Sequence, residues 1–69
     1  MSEIRIKIGQ RIAELRKLRG MTQRDLAEAT GFNRSNIGRI EQGRYSAGIE
    51  ILNKIATALD AEIEINELK

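Results

Sequence analysis

The sequence predicts an all-α fold, a bundle of short helices followed by one C-terminal β-strand. Three observations predict it. Apolar residues recur at spacings of three and four through four segments, as the buried stripe of a helix requires. No proline interrupts the chain, so glycine punctuates it. After Asp60 the apolar period changes from helical to two.

The first helix carries Ile4, Ile8, Ile12 and Leu15 on one stripe, with Arg11, Glu14, Arg16 and Lys17 turned mostly away, and ends near Gly20. Ile4, Ile6 and Ile8 alone would also suit a period-2 strand, but the stripe continues to Leu15 and favours the helix. Thr22 stands as the N-cap of a second helix, "QRDLAEAT", with Asp25 three residues on as the acid of a capping box. Gly31 is the left-handed turn residue that follows. Asn33 caps a short third helix that runs to about Gln42, and Gly43 closes it. A loop from Arg44 to Gly48 leads to a fourth helix bearing Ile51, Leu52, Ile55, Ala56 and Leu59, which stops near Asp60. In the last segment, Ala61, Ile63 and Ile65 alternate with Glu62 and Glu64, which reads as a strand. A lone strand has no ladder to join, so its expected partner is the same segment of a second copy. The expected organisation is one domain over residues 1–60 and a dimerisation tail over 61–69. Ile12, Leu15, Leu26, Ile37, Ile40, Leu52, Ile55 and Leu59 are the expected core.

Composition narrows the chemistry. The 69 residues contain neither cysteine nor histidine, which removes disulfides, a thiolate nucleophile, an imidazole base and the usual zinc sets. No phosphate-cradling glycine loop or metal spacing is present, so no catalysis, cofactor or metal is expected. With no leader and no apolar run of membrane-spanning length, the reading is a cytoplasmic protein without a membrane partner. The net charge is +2, but residues 1–44 hold ten basic against five acidic residues while 45–69 hold two against five. A basic front suits a polyanion; unevenly charged solvated faces would give the same count.

Two short helices, Thr22 to Thr30 and Asn33 to Gln42, joined by a turn at Gly31, have helix-turn-helix spacing. Ala27 falls where the two approach, and Ile37 and Ile40 lock the second onto the first. Arg34, Ser35, Asn36, Gly38 and Arg39 then face outward as a polar surface without apolar bulk. Arg can pair with guanine O6 and N7, Asn with adenine N6 and N7, and Ser with several base edges. Poor helix formers cost about 0.5 kcal/mol each, less than the ~1–3 kcal/mol of discrimination that one good base contact supplies.

The run from Ile8 to Leu59 resembles the phage Cro and cI repressor type of helix-turn-helix domain, the XRE family. "MTQRDLAEATGF", "IGRIEQG" and "LNKIATAL" together carry the Thr-Gln entry, Leu-Ala, turn Gly, Ile-Glu-x-Gly exit and closing helix of that pattern. The resemblance implies a lambda-repressor-like bundle of four to five helices that binds operator DNA as a dimer. It implies base contacts from Asn33, Arg34, Ser35 and Arg39, and phosphate contacts from Gln23, Asn36, Gln42 and Arg44. It also implies a structural ion pair between Arg16 and Glu41. The family's usual proline before the fourth helix is replaced by Ala47 and Gly48, and its fifth helix by the strand.

The expected function is a sequence-specific regulator of transcription, a repressor, that binds double-stranded DNA as a homodimer through Ile63 and Ile65 and is nucleoid-associated when bound. The alternative is the antitoxin of a toxin–antitoxin pair, with a toxin protein as partner, because the acidic segment after Asp60 resembles the C-terminal strand of some antitoxins. Arg5, Lys7, Arg11, Lys17, Arg19 and Lys54 are expected to be solvated, and Tyr45 to pack in its loop.

Overall fold

Four helices form in the order α1 (Glu3–Leu18), α2 (Gln23–Thr30), α3 (Arg34–Glu41) and α4 (Ile49–Ala58). The computed structural model describes residues 3–66 and 68, so the outermost positions of the expected domain and tail, 1, 2, 67 and 69, lie outside the described residues. α2 and α3 start where short polar side chains can accept from unpaired amides. Thr22 Oγ1 accepts from the Asp25 amide at 3.0 Å, and the Asp25 carboxylate accepts from the Thr22 amide at 2.9 Å, a complete capping box. Asn33 caps α3 by accepting from the Asn36 amide at 2.9 Å.

The stops are equally local. At the ends of α1, α3 and α4 the chain closes with paired backbone bonds: Gly20 to Lys17 with Met21 to Arg16, Gly43 to Ile40 with Arg44 to Arg39, and Asp60 to Thr57 with Ala61 to Ala56. The turn residue between α2 and α3, Gly31, is left-handed at φ 79°. At α4 the left-handed position falls to Asp60, φ 56°, the only non-glycine there among the described residues.

Ile12, Leu26, Ala27, Ile37, Ile40, Ile55 and Leu59 form the buried core. Leu26 belongs to it with no exposed surface. Leu15 and Leu52, expected in the core, are half-buried at its margin, where Ile8, Phe32, Tyr45 and Ile51 also pack. α3 lies against both α1 and α2, and α2 also packs on α4. This clamps α3 along its apolar stripe and leaves its other flank outside.

The C-terminal strand is not formed in the single chain. Residues 61–66 have no regular structure, and no strand occurs among the described residues. The period-2 pattern is real, but a strand exists only when its amides and carbonyls find a neighbouring strand, and the helical chain provides none. Ala61 still packs on the core, Ile63 is 43% exposed, and Ile65 is 98% exposed.

Candidate nucleic-acid interface

The outer flank of α3 follows from its inner one. Ile37 and Ile40, three residues apart, are 1% and 3% exposed, which turns Arg34, Ser35 and Arg39 into solvent. A helix with its side chains is about 10–12 Å across, comparable to the ~12 Å width of a B-DNA major groove.

The sequence-predicted base-facing residues differ in what they have left to offer. Asn33 Oδ1 accepts both from the Asn36 amide and from the Ser35 hydroxyl at 2.8 Å. Its acceptor therefore serves the cap, and a bidentate pair with adenine would cost that cap; its side-chain NH2 remains a donor. Ser35 has its proton committed to Asn33 and keeps its lone pairs. Arg34 and Arg39 are exposed.

Gly38 does not lie on the open flank as expected. It is half-buried and faces α2, where a Cβ added to it would meet Gln23 Oε1 at 3.7 Å. Asn36 is half-buried as well, beside the open flank rather than on it.

A second group braces this rod. Arg16 Nε donates to Glu41 Oε2 at 2.7 Å and its Nη2 to Glu41 Oε1 at 3.1 Å, while its Nη1 donates to the Met21 carbonyl at 2.9 Å. The Glu41 hydrogen bonds raise the pKa of the Arg16 guanidinium further above its already high value. Gln23 joins the same carboxylate, donating from Nε2 to Glu41 Oε1 at 3.0 Å. One carboxylate at the end of α3 thus receives groups from α1 and from the start of α2. Gln23 retains its second amide hydrogen for another acceptor.

At the far end of α3, Gln42 and Arg44 are exposed on either side of Gly43. Arg44 is aimed by its backbone N–H, which donates to the Arg39 carbonyl at 2.9 Å. Arg11 and Arg19, expected to be solvated, are exposed. Arg19 also donates from Nε to the Leu59 carbonyl at 2.9 Å and so closes α4. Arg11 pairs with Glu14 at 2.9 Å on its exposed face. Arg24, assigned no role, lines a recess with Gln23 and Arg34; its place at the open start of α2 was the available signal.

A family model described as helix-turn-helix matches residues 12–66. The chain belongs to the helix-turn-helix family. As a member it is a DNA-binding transcriptional regulator, in a family not generally made of enzymes. It is 39% identical over 56 residues to the immunity repressor protein of Bacillus phage phi105, covering 81% of this chain but only 39% of that protein. The restriction-modification controller protein C.AhdI from Aeromonas hydrophila superposes with a TM-score of 0.85 at 39% identity, covering 88% of this chain and 92% of that one. The controller protein C.Esp1396I, solved as a tetramer with its natural 35 base-pair operator, superposes with a TM-score of 0.84 at 31% identity, covering 90% and 82%. None of these three is named as an antitoxin, and the toxin partner is left without support. Among the described residues no helix is long and apolar enough to cross a membrane.

Proposed function

We propose that the protein binds double-stranded DNA as a homodimer and represses transcription by occupying a promoter in the cytoplasm, with α3 laid in the major groove. The observation that carries this is the two-sidedness of α3, where Ile37 and Ile40 are sealed in the core while Arg34, Ser35 and Arg39 stand in solvent. Arg34 and Arg39 supply planar donor forks for guanine edges, Ser35 supplies lone pairs, and Asn33 supplies its amide hydrogens. Asn36 near the start of α3, and Gln23, Gln42 and Arg44 near its Glu41 end, supply phosphate contacts that set register and affinity. The operator-bound relative C.Esp1396I supports reading by assembled copies. Two copies related by a two-fold would enter major grooves about 34 Å apart, with Ile63 and Ile65 at the seam, where each tail gives the other its missing ladder.

The test uses an operator selected from random duplexes. Arg39→Ala should weaken operator binding by about 5- to 150-fold, the ~1–3 kcal/mol of one base contact, with a much smaller loss on random duplex. Equal losses on both would count against base reading. Deleting residues 61–69 should yield a monomer at micromolar concentration; a truncated chain that stays dimeric would place the seam elsewhere.

A further inference from the structure

Arg16, Met21, Thr22, Gln23, Arg24 and Arg34 line an open recess of about 460 Å³ between the start of α2 and the side of α3. Three guanidiniums border it, and they are not equivalent. Arg16 is spent on Glu41 and the Met21 carbonyl. Arg24 and Arg34 are exposed and form no ion pair among the described residues. The nearest carboxylate to Arg24 in sequence, Asp25, accepts from the Thr22 amide; Arg24 helps hold it ionised without forming an ion pair with it. Two exposed guanidiniums without a salt bridge among the described residues therefore border one recess, one from α3 and one from α2.

We propose that Arg24 is a further DNA contact of this protein, gripping a backbone phosphate at the recess it shares with Arg34. The proposal rests on the reading of α3 as the groove-facing helix: a rod seated in the major groove runs beside a sugar-phosphate wall, and this recess lies along the α2-facing side of the rod, between Arg34 at its start and the Glu41-bound Arg16 and Gln23. Arg24 belongs to α2, which stays outside the groove, so its guanidinium meets the phosphate backbone and not a base edge. An arginine there adds to affinity on every sequence and carries no sequence information. It works beside Gln23, whose side chain is partly committed to Glu41, and provides the charge that the neutral amide lacks.

The experiment measures binding of the full chain to the selected operator and to a random duplex of the same length, across salt. Arg24→Ala should weaken binding to both by the same factor. It should also flatten the plot of log affinity against log salt by about 0.9, the contribution of one released counterion. Arg24→Lys should restore the slope, and the circular dichroism of both variants should match the unaltered chain. An unchanged slope, or a loss confined to the operator, would overturn the assignment. Failure of the unaltered chain to bind either duplex would instead sink the parent reading of α3, and this inference with it.

Discussion

Gly9 of α1 lies against the main chain of Glu41 so closely that a Cβ added to it would stand 2.6 Å from the Glu41 carbonyl oxygen. The same carbon would also run into the carbonyl of Ile40. Both obstacles are backbone and neither can rotate away. Gly9→Ala should therefore lift α1 off the end of α3 and destabilise the fold by about 3 kcal/mol, the upper end of ordinary overpacking. Urea titration followed by circular dichroism measures this, and a midpoint within error of the unaltered chain would show that the two helices are not so tightly seated.

The Arg16–Glu41 pair lies just beyond, with side chains 11% and 6% exposed. Removing one partner of a buried pair leaves the other charge stranded, at a cost of about 3–5 kcal/mol. Glu41→Ala should approach that loss and also strip Gln23 of its partner. The double variant Arg16→Met with Glu41→Leu should recover most of the stability, losing only the bond to the Met21 carbonyl. A double variant as unstable as the single one would mean that the pair stabilises the fold by more than mutual neutralisation.

Gly38 gives the opposite sign. A Cβ there meets the Gln23 side chain at 3.7 Å, an ordinary van der Waals distance. Glycine in a helix interior costs about 0.8–1 kcal/mol relative to alanine. Gly38→Ala should raise the thermal midpoint by roughly 4–8 °C for a domain of this size. Operator affinity should hold, because the added methyl points to α2 and away from the open flank; a large loss of operator binding would show that the groove approaches Gly38 after all.

Acid should attack the entry to α2. The Asp25 carboxylate is held below its usual pKa, first by the hydrogen bond it accepts from the Thr22 amide. Its folded-state pKa is thus lower than the unfolded one, so this contribution is complete above the unfolded value and disappears as pH falls through the folded value. The thermal midpoint of the unaltered chain should fall more on acidification than that of Asp25→Asn. Identical acid dependence in both would remove the capping box from the account.

Local patterns determined most of this protein. The stripe from Ile8 to Leu15, the Thr22 and Asn33 caps, and the glycines at 20, 31 and 43 are signals read within one or two turns of chain. They suffice to place every helix and to name Ile37 and Ile40 as the buried side of α3, because helical periodicity alone decides which side chains share a face. Only the tertiary structure decided which polar groups were already occupied. Gln23 joined the Arg16–Glu41 pair, Gly38 turned towards α2, and Gly9 proved to be a contact surface. Each depends on the distance between residues far apart in sequence, which periodicity does not encode. The tail shows the same division: its alternation from Ala61 to Ile65 states a preference for a strand, and backbone hydrogen bonding realises that preference only beside a partner.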